Sequence, residues 1–139
     1  MIYIGLDLGE KTVGIARSDS GIIAHSVTTY RFYTNHYDDA FEYVKKYVIE
    51  NDVDVVVIGY PKHMNNDIGI RAQISIDFKE KLEKELQVQA VLWDERLSTK
   101  TAKMHMISAG LSRKKQQNKK DELAAQVILQ NYLDFKGDN

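Results

Sequence analysis

The chain reads as an α/β protein: a five-stranded mixed sheet, three antiparallel strands followed by two parallel ones, with helices on both faces. Two patterns predict it. The first 30 residues are short β-prone runs divided by turn residues, Gly9-Glu10-Lys11 and then Asp19-Ser20-Gly21. From Asp38 onward, apolar residues at helical spacing alternate with short valine-rich runs, the order that right-handed crossovers fold into parallel strands. At 139 residues, one domain covering 1–139 is expected.

Taken in order, residues 2–8 (IYIGLDL) and 12–18 (TVGIARS) form a hairpin, and a third strand is expected from Ile22 to about Tyr30. The polar and aromatic stretch Arg31 to Asp38 reads as loop. Ala40, Phe41, Val44, Tyr47 and Val48 predict a helix over 38–50. The run Val53 to Gly59 has no polar alternation, so it is a strand covered on both faces, and Tyr60-Pro61 ends it. Beyond the loop KHMNND, Ile74, Phe78, Leu82 and Leu86 place a helix over 69–86. Val88 to Trp93 is the fifth strand, halted by Asp94-Glu95-Arg96. Ser98 can cap a helix with Ala102, Met106 and Ala109 on one face, which Gly110 stops. A basic loop, Leu111 to Lys119, then leads into a last helix over 120–135 with Ala124, Ala125, Val127, Ile128, Tyr132 and Leu133 inward.

Composition removes several classes. With no cysteine there are no disulfides, thiolate metal sites or cysteine nucleophiles. The four histidines form no pair at i, i+3 or i+4, which argues against zinc. No run of 18 apolar residues exists and MIYIGLDLGE enters a strand pattern at once, so a cytoplasmic protein with no membrane partner is expected. The net charge of -1 conceals an asymmetry: Arg96 to Lys120 holds eight Lys or Arg and no acid, +8 over 25 residues, leaving -9 for the other 114. Such a segment is either a solvated surface or a polyanion contact, and its length favours the second.

Open sheets of this kind bind ligands beyond the carboxyl ends of their parallel strands. Asp7 ends the first strand, Glu95 follows the fifth, and Asp121 opens the last helix, on the same helical face as Ala125 and Ile128. Each has a plain structural role available. Asp7 can cap the hairpin turn, Glu95 can pair with Arg96 or a neighbouring lysine, and Asp121 can interact with the helix dipole. Converging, they are oxygen ligands suited to Mg²⁺ or Mn²⁺. Two such ions, about 3.5 to 4 Å apart, meet every electrostatic need of phosphodiester hydrolysis. Arg96, Lys100, Arg113, Lys114, Lys115, Lys119 and Lys120 would then hold the flanking phosphates without reading sequence.

Four blocks carry a resemblance: IYIGLDLGEKTVGIARSD, VVVIGYPKHMNNDIGIRAQ, VLWDERLSTKTA and LSRKKQQNKKDELAAQVILQNYLD. Together they are similar to the YqgF, or RuvX-like, family, and they span nearly the whole chain. The resemblance implies a ribonuclease H-like fold and a metal-dependent nuclease. Members are assigned to 5′-end maturation of pre-16S ribosomal RNA or to cutting branched DNA. The family's acidic positions fall on Asp7, Glu95 and Asp121. The second block departs from the family, with Asn65-Asn66 where an Asp-Gly pair is usual.

Two other classes compete. Sugar kinases and actin-like ATPases share a G-x-D-x-G hairpin, but their sites lie between two domains. A non-catalytic nucleic-acid binder acting in ribosome assembly would keep the basic segment and cleave nothing. RNA versus DNA is open at this point, and symmetric cutting of two strands would favour a homodimer.

Overall fold

The computed structural model describes residues 1–60, 66–94 and 113–137, with side chains over 1–59, 69–94 and 123–137. Five strands, β1 (Tyr3–Leu8), β2 (Thr12–Ser18), β3 (His25–Arg31), β4 (Val55–Tyr60) and β5 (Gln89–Asp94), form one sheet in the order β3-β2-β1-β4-β5. The β1–β2 and β2–β3 pairs are antiparallel, and β1–β4 and β4–β5 are parallel. This is the mixed sheet expected. The helix capped by Ser98 lies outside the described residues.

Helices α1 (Tyr37–Asn51) and α2 (Asn66–Leu86) cover one face. There Ile4, Leu6, Val13, Ile15, Val56 and Ile58 pack with Phe41, Val44, Phe78 and Leu82. Helix α3 (Arg113–Gly137) covers the other, where Tyr3, Ala16, Val55 and Val57 meet Ala125, Ile128, Leu129 and Leu133. β4 contributes to both cores, which is why Val55 to Ile58 reads as unbroken apolar sequence. Ser75 fastens α2 to the end of β4 by donating to the Gly59 carbonyl at 3.3 Å.

Three boundaries differ from expectation: α2 begins at Asn66 instead of Gly69, and two others have a local reason. β3 begins at His25 instead of Ile22 because side chains satisfy the backbone before it. The Ile22 and Ile23 amides donate to Ser20 Oγ, Gln130 Nε2 donates to the Ile22 carbonyl, and the Ala24 amide donates to Gln130 Oε1. Ile22 and Ile23 consequently face solvent. The second difference is larger. Residues 113–119, expected as basic loop, are the first two turns of α3. Arg, Lys and Gln are good helix formers and the stretch has neither Gly nor Pro, so density of charge was a poor sign of irregular backbone.

Candidate active site

Asp7 is the fifth of six residues in β1 and stands opposite Gly14 of β2. Strand alternation gives it the face of Tyr3 and Gly5, which is the α3 face. It is partly buried. In the same cross-strand row, beyond Gly14, lies Thr29. Its buried Oγ1 has no hydrogen-bond partner among the described residues.

The approach of α3 to this row depends on Gly5. A Cβ there would lie 2.7 Å from Leu129 Cβ and 2.9 Å from the Ala125 carbonyl oxygen, so only glycine lets the helix seat so closely. The helix runs antiparallel to β1. At its far end Lys136 Nζ donates to Tyr3 Oη at 2.6 Å, while Ala125 and Leu129 sit over Gly5. From Ala125 to position 121 the helix travels four residues, about 6 Å. From Gly5 to Asp7 the strand travels two, about 6.6 Å. Gly5 lies under the stretch between Ala125 and Leu129, so the backbone of position 121 lies toward the Asp7 end of β1. Arg113, Lys114, Lys115, Lys119 and Lys120 occupy the turns beyond, where only Leu8 of β1 remains.

The Asp121 side chain and all of Glu95, Arg96 and Lys100 lie outside the described residues. Asp94 closes β5 opposite Tyr60, with Trp93 before it on the α3 face against Tyr132 at a centroid distance of 5.7 Å. The described residues contain no cluster of three metal-ligating side chains. One cation was passed over by the sequence reading. Arg71, in the second turn of α2, donates from Nη2 to the Leu8 carbonyl at 3.4 Å, beside Asp7. A lone arginine 63 residues from β1 carries no local signal of that proximity.

Among the described residues no helix is long and apolar enough to cross a membrane. Comparison with solved structures gives the fold. RuvC of Thermus thermophilus in complex with a Holliday junction substrate matches with a TM-score of 0.60 at 14% identity, over 92% of this chain and 91% of that one. The fold is thus ribonuclease H-like. Curated relatives are much nearer in sequence. A protein of Onion yellows phytoplasma, provisionally named pre-16S rRNA nuclease, is 50% identical over 95% of this chain and 88% of its own length. Proteins of the same provisional name from Listeria monocytogenes and Geobacillus kaustophilus are 47% and 45% identical, over 96% and 98% of this chain and 98% and 99% of theirs. The family model described as RuvX, Holliday junction resolvase, matches residues 1–135, and the chain belongs to that family.

Proposed function

We propose that the chain is a divalent-metal-dependent nuclease that hydrolyses phosphodiester bonds and acts in 5′-end maturation of precursor 16S ribosomal RNA. The observation that supports the reading is the close seating of α3 over Gly5, which brings the first half of the helix toward the Asp7 end of β1. Two carboxylates brought to the same end of the sheet offer oxygen ligands that a divalent cation can share. The third carboxylate is Glu95. It follows β5 in the sequence, and Trp93 near the end of that strand has the parity of the α3 face.

The donor set fits Mg²⁺ or Mn²⁺, being all carboxylate oxygen with no sulfur or imidazole. Bound there, the ions would relieve charge on the phosphoryl oxygens and supply an activated water. The chain's own contribution is positional. Asp7 and Asp121 are held by a rigid strand and helix, so their separation is set by backbone packing. Arg113, Lys114, Lys115, Lys119 and Lys120 on the overhanging turns of α3, with Arg96 and Lys100, hold the phosphates on either side of the scissile bond. The names of the curated relatives support a ribosomal RNA substrate.

A second reading, a resolvase of branched DNA, is favoured by the description of the matching family. One assay separates the readings. Precursor ribosomal RNA, duplex DNA and a four-way junction are offered in parallel with Mg²⁺ or Mn²⁺ to the wild type and to Asp7→Asn. The expected result is shortening of the RNA 5′ end by the wild type, loss of cleavage in Asp7→Asn, and retained RNA binding. Cleavage of the junction alone selects the resolvase. Binding without cleavage by the wild type under every condition would leave a ribosome-assembly factor that only holds nucleic acid.

A further inference from the structure

The carboxyl edge of the sheet holds a cation for which the reading above has no use. Gly9 N–H donates to the Thr12 carbonyl, so by antiparallel alternation Asp7 and Gly9 direct their main-chain groups toward β2. Leu8 directs its own toward β4. The last β1–β4 pair is Leu6 with Ile58, so the Leu8 carbonyl opens into the crevice between the ends of those strands. Crevices of this kind are where open α/β sheets bind ligands. Arg71 reaches into it from α2, one turn ahead of Ser75, whose hydroxyl is bonded to the end of β4.

Arg71 is exposed, and its contact with Leu8 at 3.4 Å is long. Among the described residues no carboxylate forms an ion pair with it. One N–H is used, and a guanidinium offers five in a planar fork that matches the two free oxygens of a phosphodiester. We propose that Arg71 is a substrate-binding residue that grips a backbone phosphate on the α2 side of the carboxyl edge, across from the basic turns of α3. The nucleic-acid strand then passes between two cationic banks with Asp7 at their centre. This assignment rests on the nuclease reading for bringing a strand to this edge.

The test measures binding of a labelled single-stranded RNA and of a four-way DNA junction by anisotropy, in EDTA, across a salt series. Arg71→Gln keeps N–H donors for the Leu8 carbonyl and removes the charge. Its slope of log affinity against log salt should shallow by about 0.7 on single strands and about 0.9 on duplex arms. Loss on only one of the two identifies which nucleic acid reaches Arg71. Arg71→Lys keeps the charge and loses the fork, so it should fold normally, retain the slope and bind several-fold more weakly. Unchanged slopes in Arg71→Gln, or Arg71→Lys binding identical to wild type, overturn the proposal. Cleavage is off in EDTA, so the two readings fail separately. A wild type that never cleaves in Mg²⁺ sinks the nuclease and leaves Arg71 standing, whereas unchanged binding by the variants of a cleaving enzyme does the reverse.

Discussion

Gly5 governs the distance between Asp7's strand and the helix that carries Asp121. Adding a methyl at Gly5 brings it against both a side chain and a carbonyl of α3, and the carbonyl cannot turn aside. Overpacking of this sort costs about 1–3 kcal/mol. Gly5→Ala should therefore lower the thermal midpoint and depress cleavage while leaving RNA affinity near wild type, since the basic turns remain. Gly5→Val, which adds bulk against the same helix atoms, should lower the midpoint further; a midpoint unchanged in both variants would show that α3 does not bear on Gly5. Thr29 offers the opposite sign. Its buried hydroxyl lacks a partner among the described residues, so Thr29→Val, of the same shape, should leave stability unchanged or raise it. A fall of more than about 1 kcal/mol in denaturant titration would reveal a partner for the hydroxyl. Of these residues only Asp7 was legible beforehand, because a carboxylate in an apolar strand is conspicuous at one position. Gly5 and Thr29 matter through their alignment with residues far along the chain, which no local pattern records.

At the scale of elements, the most informative misreading concerns α3. Its inner face was readable from apolar spacing, although Leu129, fully buried, escaped the predicted set. Its beginning was not, because the run from Arg113 to Lys120 has the propensity of a helix and the charge of a solvated loop. Lysines in a first turn sit against the positive end of the macrodipole, an arrangement that favours an anion nearby. Replacing Lys114 and Lys115 with Gln should reduce the salt slope for single-stranded RNA by about 1.4 in all, at about 0.7 per phosphate contact. Helicity by circular dichroism should hold, since Gln is also a good helix former. An unchanged slope would reduce this bank to solvated surface. The start of β3 was misread for a complementary reason. Ile22 and Ile23 are strand formers, but Gln126 and Gln130 of α3, about 100 residues away, take the backbone partners a ladder would need. Gln130→Ala removes bonds to Ile22 and Ala24, each worth about 1 kcal/mol.

Across the whole molecule, the sheet divides labour between its faces: α1 and α2 build the larger core, and α3 brings charge to the carboxyl edge. The faces also share a response to alkali. Desolvation first, and then the charge of Glu10, hold the Tyr37 phenol above its ordinary range, against a lowering influence from Arg71. The hydrogen bond to Asp39 raises Tyr30, that to Glu85 raises Lys45, and that to Tyr3 raises Lys136. All four bind their protons more tightly folded than unfolded. Their contribution is therefore complete below the unfolded values, near 10 for phenols and about 10.4 for lysine, and is lost as pH rises through the folded ones. The thermal midpoint should hold level up to about pH 9.5 and fall beyond it. Tyr37→Phe, which removes one titrating group without removing its ring, should make that fall less steep. The same phenol reports on the carboxyl edge. Arg71→Gln deletes the one influence that lowers Tyr37, so the Tyr37 ring resonances should titrate at higher pH than in the wild type. A Tyr37 titration indifferent to Arg71 would place the guanidinium away from Tyr37 and the hairpin turn, and an alkaline limb unmoved by Tyr37→Phe would assign the loss of stability to other groups.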